Sequence, residues 1–337
     1  MFDVRIYSIV ASVLYLVDLA QCRDESMRIA LGVIPARGSF PYLCSIVYKQ
    51  VWIGDCSILT ELFVIVSVSN FNRPISNKDD ETKRFYNRMR DISVYAGTIY
   101  MNPSLYDEKT MPGLQKVKAS SLYVAHNYPD LDRYTEIKSP EDANFNLTEI
   151  LNVDVVGPAF NVGFLKVDKF EWSASLKPLP MFIDIDTLAD AITDRIRALE
   201  KYPNINSHCK IATWHSPSER KVFHHVLFIP RKMCKQAWCN FNLNACLKFP
   251  RDDLICFKSA YWGEPCARDT GAALFCKFFS GPRSPSGNVF AILSTAFSCG
   301  NDNLPSVYTT MSPVLKFFKT VYEKYVPPEV PDFPPSP

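Results

Sequence analysis

Residues 266–274 read Cys266-Ala267-Arg268-Asp269-Thr270-Gly271-Ala272-Ala273-Leu274, a turn carrying a cysteine, a charged pair, a hydroxyl and a glycine. It runs straight into the apolar segment Leu274–Phe278. The same texture, a short β-branched or aromatic run bounded by turn residues, recurs on both sides. It is found at Tyr42–Tyr48, Cys56–Val68, Ile92–Tyr100, Leu122–Ala125, Val162–Val167, His225–Ile229 and Val289–Ala296. Many short strands separated by turn signals predict a sandwich or a pair of barrels. Two segments have helical spacing instead. In Thr187–Lys201 the apolar residues are Leu188, Ile192, Ile196 and Leu199, with Thr187 and Asp190 as a capping box. In Val314–Tyr325 they are Val314, Leu315, Phe318, Val321 and Tyr322. Asn77–Asp91 is densely charged and reads as a solvated loop. Residues 326–337 hold six prolines and cannot build a core.

Composition narrows the class. The chain has 337 residues, 47% hydrophobic and 21% charged, as in an ordinary globular protein. Lys and Arg number 37 against 35 Asp and Glu, a formal net charge of +2. That balance gives no case for a nucleic-acid partner or an anionic membrane surface. No apolar run reaches the roughly 18–20 residues of a membrane span. There are only 12 glycines, where average usage would give about 24. There are 11 cysteines, more than a cytosolic enzyme carries.

The first residues account for the cysteines. Ile6–Ala20 is a short apolar stretch behind Arg5, interrupted by Asp18. It has the form of a secretory signal. Cleavage is placed after Ala20-Gln21-Cys22, with cleavage after Ala20 as the rival. Loss of Cys22 with the signal leaves an even set of ten cysteines for pairing in a secreted, extracellular product. Asn146-Leu147-Thr148 is an N-glycosylation sequon, with Asn146 as acceptor.

The order of segments resembles the trypsin-like (chymotrypsin-fold) serine proteases over roughly residues 28 to 325. Arg28-Ile29-Ala30-Leu31-Gly32 sits where that family has its activation cleavage. Cys56-Ser57-Ile58-Leu59-Thr60 and Phe63–Asn70 resemble "GGSLI" and "WVLTAAHC"; Val94–Thr98 resembles "VxAG". Asn161–Val167 resembles "DIALLKL", and Cys209–Trp214 resembles "CxVTGWG". The opening stretch Cys266–Leu274 resembles "CxGDSGGPL", and Ser306–Met311 resembles "GVYTxVS". The resemblance implies an all-β fold of two packed antiparallel six-stranded β-barrels, with an inserted helix and a C-terminal helix. The implied organisation is a signal over 1–22 and a propeptide over 23–28. A first barrel over about 29–176 and the linker helix 187–201 follow. A second barrel and helix over about 205–325 precede the Pro-rich tail 326–337.

The family's catalytic residues are replaced. A triad needs a nucleophile, a base to take its proton and an acid to orient the base. The matching positions hold Thr270, Ser69 and Asn161. The five histidines are His126, His208, His215, His224 and His225, all later in the chain than the family's base. A serine at position 69 has no useful basicity near neutral pH. The oxyanion-hole position, which in the family is a glycine chosen for its permissive backbone, is Arg268. Other glycines of the pattern are replaced at Leu31, Asp55, Ala272 and Ala296.

The scaffold residues survive. The resemblance implies disulfides Cys209–Cys276, Cys234–Cys256 and Cys266–Cys299. Counting back from the first hairpin sets Cys44 opposite Cys56 as a cross-strand pair, and Cys239–Cys246 is the remaining pair. Asn70 stands where the family has a cysteine after its histidine. A zinc site from His224, His225 and the following cysteines is the competing reading of the thiols. Asp269 could receive the new amine of Ile29 after a cut at Arg28, or pair locally with Arg268 in the uncut chain. Glu264 takes the specificity-pocket position, either as a vestigial site for a basic ligand or, as favoured here, as a solvated glutamate. No cofactor and no metal are expected. The expected function is that of a secreted, non-catalytic protease homologue that binds another secreted protein, an active protease or zymogen. A weakly active endopeptidase and a structural or ligand-carrying protein are the alternatives.

Overall fold

The computed structural model describes residues 33–36, 38–73, 84–98, 111, 113–126, 128–138, 160–180, 185–202, 208–214, 221–241, 251–260, 264–277, 288–296 and 304–325. Arg28, Ile29, Asn146, Cys246 and Cys299 therefore lie outside the described residues, as do the signal segment and the Pro-rich tail.

The first barrel starts with β1 (Leu43–Tyr48), every residue of which is buried. Lys49, in the left-handed region at φ 53°, helps turn the chain back into β2 (Val51–Ile58). The register sets Cys44 directly against Cys56, and a disulfide joins them. The apolar run Cys56–Val68 is two strands, not one. Thr60 Oγ1 accepts the backbone N–H groups of Leu62 and Phe63 at 3.3 and 3.1 Å. This hydroxyl-made turn needs neither Gly nor Pro, and β3 (Phe63–Ser67) follows it. A four-residue helix, α1 (Val68–Phe71), leaves the barrel wall there. The charged segment before β4 is not wholly a solvated loop: Phe85–Asp91 is a 3₁₀ helix that buries Phe85, Tyr86 and Met89. β4 (Ile92–Ala96), β5 (Gln115–Ala125) and β7 (Val162–Val167) complete a ring in the order β4-β1-β2-β3-β7-β5, closed by pairing of β5 with β4. The long β5 also carries β6 (Tyr134–Ile137) on its far half.

The second barrel is closed in the order β10-β13-β12-β11-β8-β9. Its strands are β8 (His208–Thr213), β9 (Val222–Ile229), β10 (Leu254–Ser259), β11 (Ala273–Lys277), β12 (Asn288–Thr295) and β13 (Ser306–Thr310). Cys209 and Cys276 are register partners on β8 and β11 and are disulfide-bonded. Cys234 is bonded to Cys256 of β10. Cys239 and Cys266 each take part in a further disulfide.

Between the barrels runs α2 (Ile185–Lys201), which buries Leu188, Ile192, Ile196 and Leu199. It starts two residues before the expected cap, so Thr187 and Asp190 lie within the helix and form no capping box at its start. Asp186 in its first turn instead takes Lys319 Nζ of the C-terminal helix at 2.8 Å. A third helix, α3 (Arg231–Phe241), was not expected; it follows Pro230 and buries Cys234 and Trp238. The C-terminal helix α4 (Met311–Glu323) begins at N-cap Thr310, ahead of Pro313. Proline is tolerated in a first turn because its missing N–H has no intrahelical acceptor there.

One apolar cluster spans the seam. It joins Phe63 and Phe164 of the first barrel, Leu274 and Ile292 of the second, and Phe317 and Phe318 of α4. Tyr42 stacks on Phe275 across it, with ring centroids 4.7 Å apart. A second cluster fills the first barrel alone. Two closed six-stranded antiparallel barrels with disulfides in their walls fit a chymotrypsin-like fold. No helix among the described residues is long and apolar enough to cross a membrane. Disulfides of this number belong to an oxidising compartment.

Candidate functional site at the seam of the barrels

Ser69 in α1 and Asn161 just before β7 are in direct contact. Asn161 Oδ1 accepts the Ser69 N–H at 2.8 Å, and its Nδ2 lies 3.2 Å from Ser69 Oγ. The same Nδ2 donates to the Ser294 carbonyl of β12 at 2.7 Å, so this amide ties the two barrels together. Ser67 Oγ is 2.9 Å from Ser69 Oγ. The positions matched to base and orienting acid are therefore joined, but by neutral groups.

Thr270 is 3% exposed. Its one hydroxyl hydrogen has two acceptors in reach, Asn70 Oδ1 at 3.1 Å and the Ala267 carbonyl at 3.0 Å. Asn70 Nδ2 in turn donates to the Thr270 carbonyl at 3.1 Å. Neither an amide oxygen nor a peptide carbonyl takes up a proton near neutral pH. The buried Asn70 fits only because residue 54 is glycine: a Cβ there would lie 2.0 Å from Asn70 Nδ2.

Arg268 is exposed and has ordinary negative φ, since Phe40 and Lys49 are the non-glycine residues with positive φ among those described. The permissive backbone that suits a glycine at this position is therefore not adopted. The Arg268 carbonyl points inward and accepts the Asp55 N–H at 3.0 Å. Gly271, at φ 101°, does use its freedom: a Cβ there would meet the Asp55 carbonyl oxygen at 2.3 Å.

Beneath this loop lie two fully buried acids. Burial raises Asp55 well above the usual carboxyl range, and the nearby Asp269 adds to the rise; the Trp214 N–H, donating to Oδ2 at 3.2 Å, and Lys221 oppose it. Burial pushes Asp269 up to about 7, against the Cys266 N–H that donates to its Oδ2 at 2.6 Å. Lys221, 3% exposed, donates to the Phe40 carbonyl at 3.1 Å and lies over the Trp214 ring; burial pulls it down to about 8. The local pairing of Asp269 with Arg268 is not formed: Arg268 makes no ion pair among the described residues.

Glu264 is a correction. It is 3% exposed, not solvated. Its Oε1 accepts the Ser259 N–H at 2.6 Å, and Ser306 Oγ donates to Oε2 at 3.3 Å. The carboxylate stitches β10 to β13, with one hydrogen bond accepted at each oxygen.

Sequence reasoning missed Lys221 and Arg73. Arg73 Nη2 donates to the Ala267 carbonyl at 2.7 Å, bridging α1 to the loop that carries Thr270. Nothing local marks either residue, because each gains its role only when the barrels meet. No protein-family model matches the chain, and no curated protein matches it.

Proposed function

We propose that this chain is a secreted, non-catalytic homologue of the trypsin-like serine proteases. It acts by binding another secreted protein, as cofactor, decoy or regulator in extracellular proteolysis. The observation that carries the reading is the hydrogen bonding of Thr270 and Ser69. Among the described residues, the hydroxyl at the nucleophile position faces two neutral oxygens, and the residue at the base position is a serine held by an amide. Nucleophilic catalysis needs a base within hydrogen-bond reach of the attacking hydroxyl. The negative φ of Arg268 supports the same conclusion for the oxyanion hole, which depends on preorganised N–H donors. The disulfides support an extracellular setting.

The test is size-exclusion chromatography of the full chain with active trypsin-like proteases and their zymogens, together with the rate at which each partner cleaves its own substrate. A stable complex, or a changed cleavage rate, is expected for at least one of them. Absence of both across the panel would contradict the reading and favour a structural or ligand-carrying role.

A further inference from the structure

We propose that Arg73 and Arg268 form a two-guanidinium receptor for a carboxylate side chain on an acidic segment of the protein partner. The site lies over the place where an oxyanion hole would stand, and the proposal rests on the protein-binding reading above. Arg73 reaches from the end of α1 to the Ala267 carbonyl, and Arg268 is the next residue along. Arg268 is exposed, with its guanidinium carbon 6.0 Å from the centroid of the Trp52 ring. Arg73 is half-buried. Neither makes an ion pair among the described residues.

The two cations feel each other: burial first, and then the positive charge of Arg268, pulls the Arg73 guanidinium below its usual range. Among the described residues, the buried acids of this loop region do not relieve this. Asp269 and Asp55 face inward to the Cys266 and Trp214 N–H groups, and both are shifted toward their neutral forms. A positive site remains at the surface.

A carboxylate fits it. Guanidinium forks match a planar carboxylate with paired N–H donors, and such charge-assisted bonds are about twice as strong as neutral ones. A polyanion fits poorly. Nucleic acids and sulfated sugars call for a broad basic stripe, whereas this chain has a formal net charge of +2 and only two arginines at the site.

The test is fluorescence anisotropy of a labelled Asp/Glu-rich peptide with the full chain, against the same peptide in Asn/Gln form. The acidic peptide should bind roughly tenfold tighter or more. Arg73→Gln and Arg268→Gln should each weaken it roughly tenfold, with unchanged circular dichroism. Arg268→Lys, which keeps charge but loses the fork, should fall between. Equal binding of the amide peptide, or full binding by the Arg73→Gln/Arg268→Gln double variant, would overturn the proposal. So would displacement of the acidic peptide by an equal concentration of inorganic sulfate, which would reduce the site to a simple anion site. The two readings fail separately: labelling by a serine-hydrolase probe would sink the non-catalytic reading and leave the acidic preference standing. Loss of that preference in an unlabelled protein would sink the receptor alone.

Discussion

Asn161 uses both ends of its amide on backbone groups from opposite barrels, the Ser69 N–H and the Ser294 carbonyl. Asn161→Ala would leave both without their partner and should cost roughly 2–4 kcal/mol in urea unfolding. Asn161→Asp, which puts an acid at the position the resemblance matches to a triad aspartate, should also destabilise. A carboxylate has no N–H to give and would face the Ser294 carbonyl oxygen at close range. Stability unchanged in both variants would mean the amide is not the tie between barrels. Gly271→Ala forces a side chain into φ 101° and against the Asp55 carbonyl, at a cost of about 2 kcal/mol or more. Positions 69, 161 and 270 were singled out in the sequence by the resemblance alone, through the strand neighbours and cysteines around them. The partners of those residues were not. Asp55 meets the Trp214 N–H across 159 positions of chain, and Asn70 meets Thr270 across 200. No local pattern encodes such a meeting.

At the scale of elements, the disulfides differ in the length of chain they close. Cys44–Cys56 spans 12 positions and Cys209–Cys276 spans 67. Chain entropy alone makes the first worth about 3 kcal/mol and the second about 4. Replacing each pair by alanine should therefore lower the melting temperature in both cases, and more for the longer loop. The reverse order would show that the cross-strand bond carries more than loop closure. The strands were largely readable from their apolar runs, and Val162–Val167 matches to the residue. Three features escaped. The hairpin at Thr60 is made by a hydroxyl and not by Gly or Pro. Helix α3 is short, and its buried face rests on Cys234 and Trp238. The 3₁₀ helix hides Phe85, Tyr86 and Met89 within a charged surrounding. In the two helices tertiary burial outweighs the local pattern, while at Thr60 a local side-chain bond makes the turn.

At the scale of the whole molecule, the barrels close over Asp55, Asp269 and Lys221, and this gives stability a particular pH dependence. Asp269 is raised from its usual 3.8 to about 7, so the folded state holds its proton more tightly than the unfolded state does. Its stabilising contribution is full below about pH 4 and is lost as pH rises through about 7. Lys221 is lowered from 10.5 to about 8; its contribution is present above about 10.5 and lost as pH falls through about 8. Asp269 and Lys221 taken alone are thus least favourable between about pH 7 and pH 8, and Asp55, raised in the same direction as Asp269, extends the loss toward higher pH. Wild type should lose stability relative to Asp269→Asn between pH 5 and pH 7.5, as read by urea midpoints. A constant difference across that range would show that Asp269 stays ionised when folded. The central claim, a protease shell without protease chemistry, is tested most directly by a fluorophosphonate serine-hydrolase probe and a broad peptide-substrate panel. Both are applied to the full chain before and after a cut at Arg28, beside its Thr270→Ala variant. The account expects no labelling and no turnover above a denatured control in any form. Labelling or turnover abolished by Thr270→Ala would establish a threonine nucleophile and contradict it.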